Sequence, residues 1–336
     1  MLVASAPDLL RLVAVPVLGL AAYRDVRTRR VPNSFWYPLA VLGLLLLAWE
    51  WTTLAPGFQR MRFLRSTLLS IGIVVPLAYG FWRLGAFGGA DAKALMAIAV
   101  LFPGYPTYYF PTEALPVVVT AVGVFSLTIL TNAVLLGMGY PVALGLRNLV
   151  AGELDRRMFV GRPVAWRAVT ETHGSLLSAP ADGPRGLDLD ALRMYLRWRR
   201  TDLATLRADQ TLRDPETLPA DPGEPTDGAV DTATANVSHA GSGESADPAQ
   251  RESTAVGAVS TPDDPWGAAA FLASIEGDAY GTSAAQLRAG LDVLVSRDQV
   301  WISPGLPFLV PVFAGLLTAL TVGDLLIGLF VLAGIA

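Results

Sequence analysis

Residues 9–33, LLRLVAVPVLGLAAYRDVRTRRVPN, run from an apolar stretch into a basic cluster, and Asp25 stands where the two meet. A charged group beside hydrocarbon is costly, so an acidic residue at the edge of a membrane helix is a functional hypothesis by default. A second aspartate of this kind, Asp91, opens another apolar segment in GGADAKALM, residues 88–96. We therefore expect the fold to be built from membrane helices that carry these two carboxylates.

Composition places the chain among integral membrane proteins. Of its 336 residues, 52% are hydrophobic and 16% are charged, with a mean hydropathy of +0.45, which does not describe an ordinary soluble domain. The chain has no cysteine, which excludes disulfides, thiolate nucleophiles and cysteine-ligated metal sites. Its two histidines, His173 and His239, lack ligand-like spacing. We expect no metal ion and no other cofactor.

Six apolar segments approach the length of about 20 residues that a helix needs to cross a bilayer. The predicted spans are residues 9–23, 35–51, 64–82, 92–109, 115–138 and 306–333. The sequence therefore predicts an all-α integral membrane protein with about six transmembrane helices and a large, partly disordered cytoplasmic insert before the last helix.

Basic residues indicate how these helices are oriented. Arginines or the lysine cluster after the first span, before the fourth and after the fifth, and the positive-inside rule makes these three loops cytoplasmic. Asp25 and Asp91 then both lie at the cytoplasmic end of the bundle. Arg60, Arg62 and Arg65 oppose this assignment because they fall in a loop that the same count of spans places outside. The other loops outweigh that conflict.

The chain is predicted to divide into three parts. Residues 1–150 form a membrane domain with five helices and both aspartates, residues 151–300 form a cytoplasmic insert, and residues 301–336 form the final helix. Within the insert, leucines at helical spacing predict an amphipathic helix over 187–213. The tract of about 215–264 is rich in Pro, Gly, Asp, Thr and Ser, and its composition predicts disorder. The acidic insert carries no nucleic-acid-binding signature.

Two carboxylates brought close together share a proton, so that one can activate water while the other protonates the substrate. Gly88 and Gly89 place no side chain beside Asp91, which favours close approach of a substrate backbone. Pro32 and Asn33 predict a turn that starts the second helix. A third acid, Asp324, lies deep in the last apolar segment, and we expect it to serve in packing towards the outer leaflet.

These motifs resemble those of the archaeal type IV prepilin and preflagellin (prearchaellin) peptidases, which are membrane aspartic proteases of the GxGD type. The resemblance rests on Asp25 with the following Arg27 and Val31-Pro-Asn33, and on Gly88-Gly-Ala-Asp-Ala-Lys93 at the start of a later helix. The stretch WISPGLPFLVP at residues 301–311 is also similar to the tail of archaeal members. Ala90 departs from the pattern, since the second glycine of GxGD would stand there.

The resemblance implies a multi-pass membrane endopeptidase that removes the short basic leader of prepilins or archaellin precursors at the cytoplasmic face. Asp25 and Asp91 would be its catalytic residues. The supporting residues would be Gly88, Gly89, Ala90, Lys93, Pro32 and Asn33. Its partners would be these precursor proteins and the lipid bilayer, without nucleic acid, and the oligomeric state stays open.

Two other functions stay open at this point. Intramembrane carboxylates can serve as ion ligands in a transporter or ion-coupled membrane protein, although such acids are expected near the bilayer midplane. Alternatively, the acidic insert can recruit partners in a noncatalytic factor for pilus or archaellum assembly. Deleting residues 215–264 would abolish the function of such a factor, whereas a peptidase should tolerate the deletion.

Overall fold

The computed structural model describes residues 3–29, 31–84, 87–177, 186–230, 264–275 and 279–334, and this part of the chain is mostly helical. The chain separates into two compact units. The membrane unit comprises Met1–Tyr140 and Leu306–Ala336, and the second unit comprises Pro141–Gly305.

Seven helices form the first part of the membrane unit. They are α1 (Ala6–Arg11), α2 (Ala14–Thr28), α3 (Trp36–Thr53), α4 (Phe58–Leu69), α5 (Val75–Arg83), α6 (Gly89–Leu101) and α7 (Phe125–Gly137). A π-helical turn, Ser70–Val74, connects α4 to α5 without a break. Three short antiparallel strands, β1 (Val3–Ala4), β2 (Tyr108–Tyr109) and β3 (Ala114–Leu115), form a small sheet in the order β1-β2-β3.

Four continuous helical runs are long and apolar enough to cross a membrane. They are Ala6–Thr28, Asn33–Thr53, Phe58–Arg83 and Phe125–Val150. The predicted fourth span is wrong in length: α6 ends at Leu101, because Pro103 and Gly104 follow and cannot readily continue a helix. The predicted start of the fifth span is also wrong, since residues 114–115 form strand β3 and α7 begins at Phe125. Among the described residues, four helical runs are therefore long enough to span a membrane, and the predicted number of about six is not confirmed.

The second unit combines helices with a three-stranded sheet. Its helices are α8 (Gly139–Val150), α9 (Leu189–Trp198), α10 (Leu203–Ala208), α11 (Ala268–Ser274) and α12 (Ala284–Ser296). Its strands β4 (Arg162–Ala165), β5 (Ser175–Leu176) and β6 (Gln299–Ser303) pair antiparallel in the order β4-β6-β5. The predicted helix over 187–213 is two helices, because the Asp202 side chain caps a new helix by accepting from the Thr205 amide at 2.7 Å.

The tract predicted to be disordered falls in two parts. Residues 231–263 lie outside the described residues. Residues 215–230 are described and contact the second unit, where Arg199 donates to Thr217 Oγ1 at 2.7 Å and the Gly223 amide donates to the Trp198 carbonyl at 2.7 Å. These hydrogen bonds give the first residues of the tract fixed partners.

The last apolar segment is two helices, α13 (Leu309–Thr321) and α14 (Leu325–Leu332), rather than one. Gly323 has φ +97, a conformation that favours glycine, and Asp324 caps α14 by accepting from the Ile327 amide at 3.0 Å. Asn132 on α7 holds the break, since it donates to the Gly323 carbonyl and accepts from the Leu325 amide. Asp324 is buried and also accepts from Thr128, so it has a structural role within the membrane unit, and its predicted position towards the outer leaflet stays a prediction.

Helix packing in the membrane unit places the two aspartates. Helix α2 packs against α13, and α13 packs against α7, whereas α3 packs against α6, and α6 against α5. Small residues allow these approaches: a side chain on Gly43 would meet the Leu101 backbone at 3.0 Å, and one on Gly315 would meet the Ala133 amide at 2.7 Å. Asp25 and Asp91 thus lie on helices that have different main neighbours.

Candidate active site

Asp25 occupies the last turn of α2. Its side chain lies on the buried face of this helix, with Ala21 and Ala22, and the residue is 9% exposed. The helix ends four residues later, where Arg29 adopts a left-handed conformation with φ 56 and its amide donates to the Asp25 carbonyl at 3.1 Å. The carboxylate is therefore held inside the membrane unit, close to the end of its helix.

The amino end of α13 faces this carboxylate. The Leu309 amide, the first of the helix, lies 3.4 Å from Asp25 Oδ2 and donates a hydrogen bond to it. The amino end of a helix carries a partial positive charge, so this contact stabilises a negative charge on Asp25. The sequence motif around Pro307-Phe308-Leu309 therefore meets Asp25 in space, although 284 positions separate the two bonded residues.

Asp91 is the third residue of α6, and its side chain caps the amino end of that helix. The Gly88 amide donates to Asp91 Oδ2 at 3.1 Å, the carboxylate half of a capping box. A side-chain carbon built on Gly88 would lie 3.1 Å from the same oxygen, which is tighter than an ordinary contact. One on Gly89 would lie 3.8 Å from Trp82 Nε1, and Ala90 packs against the core of the membrane unit. The first glycine thus leaves room for the carboxylate itself.

The two carboxylates lie within electrostatic reach of each other. The charge of Asp25 acts on Asp91, and Arg29 acts on both carboxylates as a shared cation. Like charges at short range oppose joint ionisation, whereas a nearby cation favours it. The structure therefore brings together the two aspartates that the sequence singled out, and adds Arg29 to them.

Aromatic rings connect the segment before α6, which carries Asp91, to the segment before α13, which contacts Asp25. Phe87, just before the glycine pair, packs on Phe308 with ring centroids 4.7 Å apart and on Phe81 at 5.0 Å. Phe308 immediately precedes the amide that contacts Asp25. None of these rings was predicted from the sequence to belong to the site, although Phe308 lies in the stretch at residues 301–311. Their position between two motifs is the signal that would have found them.

The remaining supporting residues lie on the α2–α3 connection and on α6. Pro32 precedes a single helical turn, Asn33–Phe35, and its carbonyl accepts from the Phe35 amide at 3.3 Å. This is the turn that the sequence predicted at the start of the second helix. Lys93 Nζ donates to Asn33 Oδ1 at 2.7 Å, so these two motifs also meet in space.

The chemistry of the site is that of carboxylates. Throughout the described ranges, no group of three His, Asp or Glu side chains has the arrangement of a metal site. The site thus combines two carboxylates on separate helices with one nearby cation and one helix amino end.

Two family models match the chain on either side of residues 143–267. Residues 12–142 match the type IV leader peptidase family, and residues 268–325 match the archaeal peptidase A24 C-terminus, type II. The first match contains Asp25 and Asp91, and the second contains the α13 amino end that contacts Asp25.

Two relatives have names that agree with these matches. The preflagellin peptidase of Methanococcus voltae is 28% identical over 149 residues, which cover 43% of this chain and 61% of the relative. The prepilin peptidase EppA of Methanothermobacter thermautotrophicus is 32% identical over 126 residues, which cover 37% of this chain and 31% of the relative. The chain thus spans less than two thirds of either relative's length. Both models describe parts of the same peptidase family, and the chain is similar to the type IV leader peptidases over residues 12–142 and to the archaeal peptidase A24 C-terminus over residues 268–325.

Proposed function

We propose that this protein is a membrane aspartic endopeptidase that removes the short basic leader from type IV prepilins, from archaellin precursors, or from both. The observation that carries the proposal is that Asp25 and Asp91 lie within electrostatic reach of each other in the segment matched by the family model. The names of the two relatives support the class of substrate. No co-reactant other than water is required.

In the proposed reaction the two aspartates share one proton. The ionised carboxylate takes a proton from water, whose oxygen attacks the scissile carbonyl carbon. The protonated carboxyl group donates its proton to the carbonyl oxygen, which gives a tetrahedral diol. Breakdown of the diol transfers a proton to the leaving amine and frees the leader as a carboxylic acid.

The proposed active site faces the cytoplasm. In this arrangement α6 and the α13–α14 pair also cross the bilayer, which gives six crossings and puts both aspartates at one membrane surface. Arginines of the α2–α3 connection support that side. The opposing Arg60 has a local role, since it donates to the Trp51 and Leu54 carbonyls at the end of α3 and lies over the Trp51 ring at 4.8 Å.

A leader-cleavage assay tests the proposal. Membranes that contain the full chain are mixed with a tagged prepilin or archaellin precursor, and the shortened product is followed with time. Asp25→Asn and Asp91→Asn keep the size of each side chain but remove its ability to take or give a proton. We expect each variant to lose cleavage almost completely, as removal of a general acid or base costs at least about 10²–10⁴-fold.

Asp324→Asn is the matched control. It neutralises another buried carboxylate of the same unit while asparagine keeps the helix cap, so cleavage should stay at the wild-type rate. Cleavage at the wild-type rate by either Asp25→Asn or Asp91→Asn would show that the pair does not act as proposed. Such a result would favour the transporter and assembly-factor hypotheses instead.

A further inference from the structure

The hydrogen bond between Lys93 and Asn33 joins the two parts of the proposed active site. Lys93 is the only lysine in the chain, and its Nζ lies 2.7 Å from Asn33 Oδ1 across 60 positions of sequence. Lys93 lies two residues after Asp91 in α6. Asn33 opens the turn that follows the helix of Asp25. The bond therefore ties the start of one aspartate-bearing helix to the connection that leaves the other.

The acceptor of this bond is held by its own turn. Pro32 has φ −68 and ψ 153, and its carbonyl accepts from the Phe35 amide, so the backbone at Asn33 has little freedom. Four positions separate Asn33 from Arg29, where α2 ends, and such a length of chain spans at most about 14 Å. Fixing Asn33 against α6 therefore restricts where the end of α2, and with it Asp25, can lie.

The position of Lys93 is not explained by the stability of its own helix. A cation near the amino end of a helix opposes the helix dipole, so the contact with Asn33 is a better account of Lys93 than helix stability. Asp25 and Arg29 are charges that act on Asp91, whereas the Lys93 ammonium donates to the side-chain amide oxygen of Asn33. This geometry favours a role for Lys93 in positioning the two segments over a direct electrostatic role.

We infer that Lys93 and Asn33 are positioning residues whose hydrogen bond sets the separation of Asp25 and Asp91. This inference rests on the proposed peptidase function. Loss of the bond removes neither carboxylate but lets α6 and the end of α2 shift relative to each other, which changes the separation of the two groups. Catalysis depends on that separation more than substrate binding does, because a displacement of about 1 Å can cost up to about a hundredfold in rate.

A double-mutant cycle tests the inference with the full chain in membranes and a tagged precursor as substrate. Lys93→Met removes the donor, Asn33→Leu removes the acceptor, and the third variant carries both changes. We expect each single change to lower kcat by about tenfold or more with little change in KM, and the double change to lower it no further. The pH profile of kcat/KM should keep its shape in Lys93→Met, since the lost ammonium donates to Asn33 and the carboxylates keep Arg29 as their nearby cation.

Conservative variants separate a lost contact from a general defect. Asn33→Asp keeps an acceptor oxygen for the lysine, and we expect it to retain far more activity than Asn33→Leu. Arg60→Met is the matched control. It removes a cation that donates to carbonyls at the end of α3, whereas Asn33 lies just before the start of that helix. The kcat of Arg60→Met should equal that of the wild type.

Several results would overturn the inference. These are losses that multiply in the double variant, wild-type kcat in either single variant, a shifted pH profile in Lys93→Met, and equal inactivity of Asn33→Asp and Asn33→Leu. Failure of the proposed function looks different, since cleavage would then survive in Asp25→Asn or Asp91→Asn in the same membranes. If the losses of Lys93→Met and Asn33→Leu multiply in the double variant while Asp25→Asn and Asp91→Asn are inactive, only the positioning role is overturned.

Discussion

Gly88 has a specific function at the scale of single residues. Its φ of −67 and ψ of 157 are open to any amino acid, so its backbone does not require glycine. The restriction comes from the neighbouring carboxylate, because a side-chain carbon would press on Asp91 Oδ2. The sequence suggested that the glycine makes space for substrate, whereas the structure shows that it first makes space for the acid.

Gly88→Ala should therefore slow catalysis without affecting the fold. The added methyl group displaces the carboxylate by a few tenths of an ångström or more, and we expect kcat to fall by about tenfold to a hundredfold with KM little changed. Initial rates of leader cleavage measure both constants. Gly80→Ala on α5 is the control, since no atom lies within 4 Å of its added carbon. Wild-type kcat in Gly88→Ala would contradict this account of the glycine.

At the scale of elements, the sequence predicted the first three long helices well because their apolar runs are continuous. The ends of the other apolar segments were harder to predict. Residues 102–124 and 322–324 continue apolar runs typical of membrane helices, but their backbone groups form hydrogen bonds outside a helix. Val118, for example, accepts from Asp324 and donates to Val322. The partners that break a segment, such as Asn132, are distant in sequence. Both aspartates were found from local motifs, whereas the Leu309 contact depended on tertiary packing.

Gly323→Ala should disrupt the break between α13 and α14. A side-chain carbon at this position would overlap the Val118 carbonyl oxygen, and the φ of +97 is strained for any residue with a side chain. We expect a loss of unfolding free energy greater than about 1 kcal/mol. Thermal unfolding in detergent micelles measures it as a lower midpoint temperature.

Gly328→Ala, inside α14, provides the comparison. Its added carbon would meet nothing within 4 Å, and alanine favours a helix interior over glycine by roughly 0.5–1 kcal/mol. Its midpoint should equal or exceed that of the wild type. If both variants unfold at the same temperature, the close approach at Gly323 is not what shapes this end of the chain.

At the scale of the whole membrane unit, Arg11 joins three helices far apart in sequence. It is 3% exposed, pairs with Asp8 at 2.8 Å and with Glu50 at 2.6 Å, and donates to the Leu101 carbonyl at the end of α6. The pair with Asp8 is local, since the two residues lie three positions apart on one helix. The links to α3 and α6 could not be predicted, because nothing local marks Glu50 or Leu101 as neighbours of Arg11.

Arg11→Met should lower the stability of the whole unit. The change leaves two carboxylates, whose side chains are 14% and 19% exposed, without their cation. Breaking a buried ion pair costs about 3–5 kcal/mol, so the unfolding midpoint in micelles should fall by roughly 6–20 °C. Adding Glu50→Met should recover part of the loss, since an apolar pair leaves fewer unpaired charges.

Arg65→Met supplies the control for that experiment. Arg65 is exposed, and its guanidinium reaches the Val122 carbonyl only at 3.5 Å. Its removal should leave the midpoint within about 2 °C of the wild type, as surface changes usually cost less than about 0.5 kcal/mol. An unchanged midpoint in Arg11→Met would show that the network adds nothing to the stability of the unit.

The single lysine has a consequence for chemical reactivity. A reagent that acylates amines has one side-chain target in this protein, and that target lies two residues from Asp91. The ammonium must release Asn33 and lose a proton before it can react, so the labelling rate reports how often the bond opens. The chain thus contains its own probe beside the aspartates, and no residue needs to be introduced to use it.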